Sequence, residues 1–454
     1  MVLASAAGLV TVCTTMAQSQ PPSALDPSPT VNTEISSLIQ TGSGYDAWTG
    51  SVRREVTDLE VPGAVSSLGL KWVRTYNSSS NFLNGGWSFS WTWRYWGRGW
   101  PDTVGVRLPD GGIWRTNETG TKLQFWRSCA GGRECGNGDA FLTLEDGSKV
   151  HMSFYVDFPD DIHPVDHFIP DYVDDPYGRR TTLQYEDAIP NQPDSYLRLK
   201  RVTDPSGKWI NITYACNAGN CTTTDWYKVT HVEGSNGAYV DYTWIDATHL
   251  HVSYSDGSTA DYTYGTTNFL EHTVCGCNPN CVDCYPTFHT TSLITAQDTH
   301  ANSPIQAIRY DYSDPGLFSG QVSSERHLTT NALVSTRTCD TCPTPDWSGG
   351  EGRQNATITE IRGDGPSRTL YIEKGAQRVP LVKRKSDFNG INEVFTYDSN
   401  NYLLTAQDRN GNVTTYTNEQ LIGNPTQILY QDGKHIDYTY YQGNPYHVHT
   451  VTNE

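Results

Sequence analysis

The 454-residue sequence is 36% hydrophobic and 11% aromatic, proportions that suit a folded chain and exclude a polytopic membrane protein. Its 50 acidic residues against 32 basic ones leave a formal net charge of -18, which repels phosphate backbones and argues against nucleic-acid binding. The 40 glycines and 24 prolines, with few helix-favouring runs, predict an all-β, turn-rich protein.

The chain begins with an uncharged, apolar segment. Residues 2–12 read VLASAAGLVTV, which has the length of a signal-peptide core and is too short to span a bilayer. Small residues within Thr15-Met16-Ala17 fit a cleavage site, so residues 1–17 are predicted to be a signal peptide. A positively charged start is missing, and a simple apolar tail is the alternative. Residues 18–42 form a Pro/Ser-rich linker, and no later stretch could span a membrane, so we expect a secreted or cell-surface protein.

Ten of the 11 cysteines follow that segment, in tight local groups. In an exported protein such groups predict structural disulfides. The clearest pairs flank short turns, Cys129 with Cys135 and Cys216 with Cys221. The remaining candidates are Cys275, Cys277, Cys281, Cys284, Cys339 and Cys342. The four cysteines from 275 to 284 allow three pairings, and a four-thiolate zinc site is the alternative there.

A repeat runs along much of the chain, in which a glycine is followed seven positions later by an aromatic residue. The instances are Gly147/Phe154, Gly178/Tyr185, Gly207/Tyr214, Gly237/Trp244, Gly257/Tyr264, Gly390/Tyr397 and Gly433/Tyr440. Gly411 opens a further unit, in which the tyrosine comes early, at Tyr416. Most of these glycines follow Asp or Asn, a pairing typical of tight turns.

Each glycine predicts a turn followed by an outgoing strand, with positions +3, +5 and +7 on one face. Those positions are mostly aliphatic or aromatic, with Glu393 as the one charged residue, so the face that bears the aromatic residue is predicted to be buried. The prediction can be tested on five aromatic residues, which should all be substantially buried: Tyr214, Trp244, Tyr264, Tyr397 and Tyr440. Glycine spacings of 20 (237 to 257), 21 (390 to 411) and 22 (411 to 433) fit one hairpin per unit. Such hairpins must stack edge to edge, which predicts one curved sheet; an ordinary β-sandwich is the alternative.

Several segments resemble a known family. Residues 203–214 (TDPSGKWINITY) and 396–403 (TYDSNNYL), leading to 408–411 (DRNG), are similar to the tyrosine-aspartate repeats of RHS (rearrangement-hotspot) proteins. Residues 56–63 (VTDLEVPG), 70–78 (LKWVRTYNS) and 85–90 (GGWSFS) resemble the segment that opens those repeats. The resemblance implies a secreted or surface polypeptide whose repeats wind into a hollow β-shell, as in teneurins, often around a C-terminal toxin. It also implies a C-terminal effector, or the remaining repeats of a longer chain, as partner.

The resemblance and the repeat pattern together predict four folded segments. They are an N-terminal β-domain at 43–155, repeats at 156–274, a Cys-rich interrupted segment at 275–350, and repeats at 351–454. We expect the array to be incomplete at its C-terminal end, with Tyr438 and Tyr440 less well covered than Tyr214 or Tyr264.

The functional prediction is a scaffold without chemistry of its own. The sequence carries no Gly-x-Ser-x-Gly nucleophile motif, no His-Glu-x-x-His motif, no phosphate-binding loop and no catalytic-cysteine signature, so we expect no enzyme activity, no cofactor and no metal. Residues 87–100 (WSFSWTWRYWGRGW) alternate aromatic rings in strand fashion, and rings on an exposed face could stack on sugars. A carbohydrate-binding surface module is therefore the alternative, and a glycosidase with paired carboxylates is a more remote one.

Overall fold

A computed structural model describes most of the chain from Val52 onward. The described residues are 52–77, 87–97, 104–107, 113–115, 124–127, 140–144, 146–156, 166–187, 197–217, 221, 227–246, 248–265, 269–275, 284–289, 292–298, 307–312, 322–339, 355–374, 380–420, 423–441 and 444–453. The predicted signal peptide and linker lie outside them, as do Cys129, Cys135, Cys277, Cys281 and Cys342.

The described residues form β-strands joined by turns and short irregular segments. The first nine are β1 (Arg53–Glu60), β2 (Lys71–Asn77), β3 (Trp87–Phe89), β4 (Arg94–Gly97), β5 (Val104–Arg107), β6 (Ile113–Arg115), β7 (Gln124–Arg127), β8 (Ala140–Thr143) and β9 (Lys149–Val156). Next come β10 (Asp166–Asp174), β11 (Arg180–Asp187), β12 (Leu197–Thr203), β13 (Trp209–Tyr214), β14 (Val229–Gly234), β15 (Tyr239–Asp246), β16 (His249–Tyr254), β17 (Thr259–Gly265), β18 (Phe269–Cys275) and β19 (Cys284–His289). The remainder are β20 (Ser292–Asp298), β21 (Ala307–Tyr312), β22 (Val322–His327), β23 (Leu333–Cys339), β24 (Ala356–Arg362), β25 (Ser367–Lys374), β26 (Pro380–Ser386), β27 (Asn392–Tyr397), β28 (Leu403–Gln407), β29 (Val413–Asn418), β30 (Pro425–Leu429), β31 (His435–Tyr441) and β32 (Asn444–Asn453).

The prediction of an all-β protein built on one large antiparallel sheet is confirmed. Strands β1–β3 form a separate N-terminal sheet, and β18–β19 form a separate hairpin. The other strands belong to one large sheet, here called the repeat sheet, in which most strands pair with their sequence neighbours. Strand β17 pairs directly with β20, so the repeat sheet continues past the inserted hairpin.

The two ends of the repeat sheet differ. At the N-terminal end β10 pairs with β9 along one edge, and along its other edge first with β4 and then with β11. At the C-terminal end β32 pairs with β31, and within the described residues it has no second partner strand.

The predicted turn glycines hold the left-handed backbone conformation. Gly147, Gly178, Gly207, Gly237, Gly257, Gly390, Gly411 and Gly433 all have φ between 77° and 87°. In the Asp-x-x-Gly turns the aspartate organises the chain as well. The Asp387 carboxylate accepts from the backbone N–H groups of Asn389 and Ile391, and Gly390 N–H donates to the Asp387 carbonyl. The turn is therefore fixed by its own side chain, as Asp in tight turns commonly does.

The strand that leaves each turn alternates as the period-two argument requires. After Gly207, Ile210 and Ile212 are buried and Thr213 is exposed, and after Gly257, Ala260 and Tyr262 are buried. Of the five aromatic test residues, Tyr264 is buried and Tyr214, Trp244, Tyr397 and Tyr440 are half-buried. None of the five is exposed, so the aromatic face is the covered one.

The repeat tyrosine makes a hydrogen bond that recurs along the sheet. The hydroxyls of Tyr214, Tyr397 and Tyr440 donate to the backbone carbonyls of Leu199, Val382 and Pro425, at 2.6, 2.9 and 2.6 Å. Each accepting residue lies 15 positions earlier in the chain. After Gly411 position +7 is Asn418, whose side-chain amide donates to the Leu403 carbonyl over the same separation. In these four units, the residue seven positions after the glycine therefore contributes a hydrogen-bond donor as well as a packed side chain.

Replacing Tyr214 or Tyr397 by phenylalanine is expected to lower the free energy of unfolding by about 1 kcal/mol each, because a half-buried carbonyl loses its donor while the ring stays. Urea unfolding measures the loss. Tyr239→Phe is the matched control, since Tyr239 is 42% exposed. Equal stability of all three variants would contradict the prediction.

The covered face holds two apolar cores. The larger joins the N-terminal sheet to strands β8–β22, and the smaller lies along β24–β31. Tyr438, in the smaller core, is 4% exposed, as is Tyr264 in the larger one. The expectation that Tyr438 would be less well covered is therefore wrong, because neighbouring strands of the repeat sheet supply apolar side chains such as Ile428 and Tyr416.

Candidate docking site between the N-terminal sheet and the repeat sheet

The N-terminal sheet turns one face toward the covered face of the repeat sheet. Alternate residues of β2 (Trp72, Arg74 and Tyr76) are all at most 1% exposed. On β1 alternate residues are also buried, and Arg54 and Asp58 are among them. Three charged side chains thus lie on buried strand faces, where charges persist only when they are paired and hydrogen-bonded.

Asp58 and Arg74 form a buried ion pair at the centre of this contact. Arg74 Nε and Nη2 donate to the two carboxylate oxygens of Asp58 at 2.8 and 3.0 Å. Arg74 Nη2 also donates to the Tyr262 hydroxyl of β17 at 3.3 Å. Burial alone lowers the pKa of Arg74, but the adjacent Asp58 carboxylate holds it well above the ordinary arginine value, so the guanidinium stays charged.

Two tyrosines of the repeat sheet complete the shell around Asp58. Tyr242 of β15 and Tyr254 of β16 donate their hydroxyls to its two oxygens at 2.5 and 2.7 Å. Burial, and then the Asp58 charge, raise the pKa of both tyrosines well above the ordinary value. Both therefore remain hydroxyl donors, and the carboxylate accepts four hydrogen bonds, two from each sheet.

Aromatic rings surround the ion pair. The Arg74 guanidinium lies 4.1 Å from the Trp87 ring centroid and 4.8 Å from that of Tyr262, distances typical of cation–π contacts. Trp72 stacks on Phe89 at 4.9 Å and donates its indole N–H to the Tyr242 hydroxyl at 3.1 Å. The indole N–H of Trp87 likewise donates to the Tyr264 hydroxyl. Repeat tyrosines thus bind side chains of the N-terminal sheet as well as filling the core.

A second polar contact extends the site along β1. Arg54 is 3% exposed and lies 5.9 Å from the Tyr262 ring centroid. Burial raises the pKa of Tyr310 on β21 to about 12, although the positive charge of Arg54 and its hydrogen bond to Tyr310 act to lower that pKa. Glu325 of β22, fully buried, accepts a hydrogen bond from Ser335 at 3.0 Å. The polar contact of the N-terminal sheet therefore extends from β15 to Tyr310 of β21.

The connection between β1 and β2 lies along the turns of the repeat sheet. The Asp204 carboxylate accepts from the backbone N–H groups of Val65 and Ser66 at 3.0–3.2 Å, and that of Asp175 accepts from Ser67 at 2.9 Å. Asp175 and Asp204 each begin an Asp-x-x-Gly turn. The same carboxylates that fix two repeat turns therefore also hold the N-terminal sheet.

Acid is expected to weaken this attachment. Burial raises the pKa of Asp175 and Asp204, but backbone and side-chain hydrogen bonds outweigh it and hold both values below the ordinary one. A carboxyl whose pKa is depressed by folding adds stability above its unfolded pKa of about 3.9, and this stability is lost as pH falls through the folded value. The free energy of unfolding, measured in urea at pH 7 and pH 3, should fall less between these pH values for Asp204→Asn than for the wild type. The exposed Asp364→Asn variant should follow the wild type, and identical losses for all three proteins would contradict the role of Asp204.

Gly234 offers a test of how closely the two sheets pack. A methyl group there would lie 2.6 Å from Asn236 Oδ1 in the adjoining turn. It would also lie 2.7 Å from Val61 Cγ2 and 3.3 Å from Leu59 Cδ2, both on the N-terminal side of the contact. Gly234→Ala is therefore expected to cost about 1–3 kcal/mol by overpacking and to speed hydrogen exchange in β1 and β2. Gly237→Ala is the control, because no atom lies within 4 Å of its added carbon and only its positive φ is strained. Unchanged exchange in the Gly234 variant would show that the sheets are not in contact there.

The predicted cysteine sites lie elsewhere. Cys216 and Cys221 form a disulfide with their sulfurs 2.09 Å apart, beside β12 and β13. The candidate Cys339 is disulfide-bonded, and the candidate Cys342 lies outside the described residues. Cys275 and Cys284 stand opposite each other in the β18–β19 register.

Among the described residues, metal-ligating side chains are not clustered, and the first four aromatic residues of the 87–100 stretch are buried. No group of three or more His, Cys, Asp or Glu side chains among them is arranged to hold a metal ion. Trp87, Phe89, Trp91 and Trp93 of the aromatic stretch are all buried, and the exposed tyrosines, Tyr177, Tyr239 and Tyr441, lie far apart in sequence. In the described part of the chain, no helix is long and apolar enough to cross a membrane.

Sequence reasoning missed the residues that join the two sheets. A signal was present, because Arg74 lies between Trp72 and Tyr76 on an otherwise aromatic strand face, where an unpaired charge would be costly. Nothing in the sequence indicated that its partner would be Asp58 or that repeat tyrosines would complete the shell.

Comparison with known proteins gives a family match over a limited part of the chain. Residues 45–125 match a domain of unknown function (DUF6531), a segment that includes β1–β3. No curated protein matches the sequence.

Comparison with solved structures gives matches at low identity and low TM-score. The TcdB2–TccC3 crystal structure is 10% identical with a TM-score of 0.32, covering 92% of this chain and 30% of that one. The Photorhabdus luminescens Tc holotoxin pore is 11% identical with a TM-score of 0.31, covering 78% and 17% respectively. The N-terminal domain of the effector SpvB from Salmonella typhimurium is 12% identical with a TM-score of 0.21, covering 80% of this chain and 100% of that one. The chain spans less than a third of the length of the first two.

Proposed function

We propose that the chain is an exported, non-enzymatic RHS-repeat scaffold, a segment of a β-shell that encloses or presents an effector. The observation that carries the proposal is the N-terminal sheet fixed to the covered face of the repeat sheet through the Asp58–Arg74 pair. The Asp58 carboxylate accepts four hydrogen bonds, two from each sheet, so the repeat sheet has one face fixed as its inner face, as a container requires.

The repeat chemistry supports the same proposal. Each unit contributes a turn and an outgoing strand, and the units of Gly207, Gly390, Gly411 and Gly433 add a hydroxyl or amide donor at position +7. Such arrays extend by repetition and place their apolar residues on one face. The residues at the centre of the contact are arginine, aspartate, tyrosine and tryptophan, enclosed on all sides, and none is placed to meet a substrate.

The test is protection of a cargo. A disordered, protease-sensitive polypeptide is fused after Glu454, and its digestion is compared with that of the same polypeptide alone. The scaffold proposal expects slower digestion of the fusion, and faster digestion again when Asp58 is replaced by alanine. Glu60→Ala is the matched control, because Glu60 forms an exposed pair with Lys71 on the same sheet.

Two results would contradict the proposal. Equal digestion rates for the fused and the free polypeptide would show that the chain does not enclose the polypeptide. Hydrolysis of a polysaccharide by the purified chain would show that the chain is an enzyme.

A further inference from the structure

The Cys216–Cys221 disulfide has an arginine beside it. Arg198 Nη1 lies 3.2 Å from Cys221 Sγ and 3.6 Å from Cys216 Sγ, and Nη2 donates to the Cys216 carbonyl at 2.9 Å. Arg198 is 4% exposed, so its charge is little screened by solvent. A disulfide sulfur is a weak acceptor and gains little from these contacts, whereas a thiolate gains much more.

The two sulfurs differ in access and in surroundings. Cys221 is 9% exposed and is the closer to Arg198, while Cys216 is half-buried. A reductant therefore reaches Cys216 more readily, and the bond then breaks toward Cys221. Thiol–disulfide exchange is faster when the leaving thiol has a lower pKa, which a neighbouring arginine provides.

We propose that Cys216–Cys221 is a reducible, thiol-exchanging site, with Cys216 as the sulfur attacked by a dithiol reductant and Arg198 stabilising the departing Cys221 thiolate. In the first step the reductant thiolate forms a bond to Cys216 Sγ, and the electron pair of the broken bond leaves with Cys221. In the second, the other thiol of the reductant loses its proton and attacks its partner sulfur, releasing Cys216 as thiolate. The reductant is oxidised to a disulfide, and the protein gains two electrons. The proposal is independent of the scaffold role.

Glu186 sets the strength of this effect. Its carboxylate accepts from Arg198 Nε at 2.8 Å and lies 2.6 Å from Nη2. The carboxylate neutralises part of the charge that a thiolate would use. Removing the negative charge should therefore favour the thiolate, and removing the arginine should disfavour it.

The experiment follows reduction of the whole chain by dithiothreitol, with alkylation and mass spectrometry of the peptides that carry Cys216 and Cys221. Arg198→Met is expected to slow opening of this disulfide by roughly threefold, and Glu186→Gln to accelerate it. Arg201→Met is the control, since Arg201 lies on the same strand but stacks on Trp209 at 4.7 Å. If Arg198 only holds the loop together, both Arg198→Met and Glu186→Gln will loosen it and both will accelerate reduction, which would overturn the proposal.

Two measurements on the wild type keep the test independent of variant folding. A limiting monothiol should form its mixed disulfide on Cys216, and attachment to Cys221 would overturn the assignment. After full reduction, the pH dependence of alkylation should give Cys221 an apparent pKa at least about one unit below the ordinary cysteine value of about 8.5. An ordinary or raised value would equally overturn the role of Arg198.

Discussion

Replacing Asp58 by alanine is expected to lower the free energy of unfolding by about 3–5 kcal/mol, because it leaves the Arg74 guanidinium buried without its counter-charge. Arg74 is 0% exposed and its remaining acceptor is the Tyr262 hydroxyl. The hydroxyls of Tyr242 and Tyr254 also lose their common acceptor. Urea unfolding followed by tryptophan fluorescence measures the change, since Trp72 and Trp87 border the pair.

Two comparisons separate this effect from a general loss of charge. Glu60→Ala breaks the exposed Glu60–Lys71 pair and should cost no more than about 1 kcal/mol. The double variant Asp58→Leu/Arg74→Met removes both charges and should be more stable than Asp58→Ala alone, since no unpaired ion remains. An Asp58→Ala protein as stable as Glu60→Ala would show that the pair does not hold the sheets together.

The repeat could be predicted from sequence because its information is local. The glycine fixes the turn, and the side chains at +3, +5 and +7 follow from the period of a strand, so the buried face around Ile210 and Ile212 could be predicted in advance. Even the exception at Glu393 is accommodated locally, since its side chain pairs with Lys385 at 2.7 Å and with Arg409 at 2.9 Å at a half-buried position.

The docking site could not be predicted in this way because its contacts are long-range. Asp58 meets Tyr242 and Tyr254 across 184 and 196 residues, and no local rule connects those positions. Asp204 illustrates the same limit. Its place in a turn followed from Asp204-Pro205-Ser206-Gly207, but its bonds to Val65 and Ser66 depend on where the N-terminal sheet lies.

Trp72→Ala is the second substitution with a large expected effect, about 3–5 kcal/mol lost from the free energy of unfolding. Trp72 is 1% exposed, stacks on Phe89, and is the only residue of β2 whose side chain donates to Tyr242 among the described contacts. Its removal leaves a cavity between the two sheets that neighbouring rings cannot fill without moving. The variant should therefore bind an apolar fluorescent dye that the wild type excludes, because the covered face of β15 and β16 becomes accessible.

Trp209→Ala is the matched control for this substitution. Trp209 is half-buried on the other face of the repeat sheet, where Arg201 stacks on it, and its loss should cost about 1 kcal/mol without dye binding. If Trp72→Ala loses stability but binds no dye, the result would show that the N-terminal sheet stays in contact with the repeat sheet and that neighbouring side chains fill the cavity. If both variants behave alike, the covered face has no special dependence on the N-terminal sheet, and the enclosing role proposed for that contact fails with it.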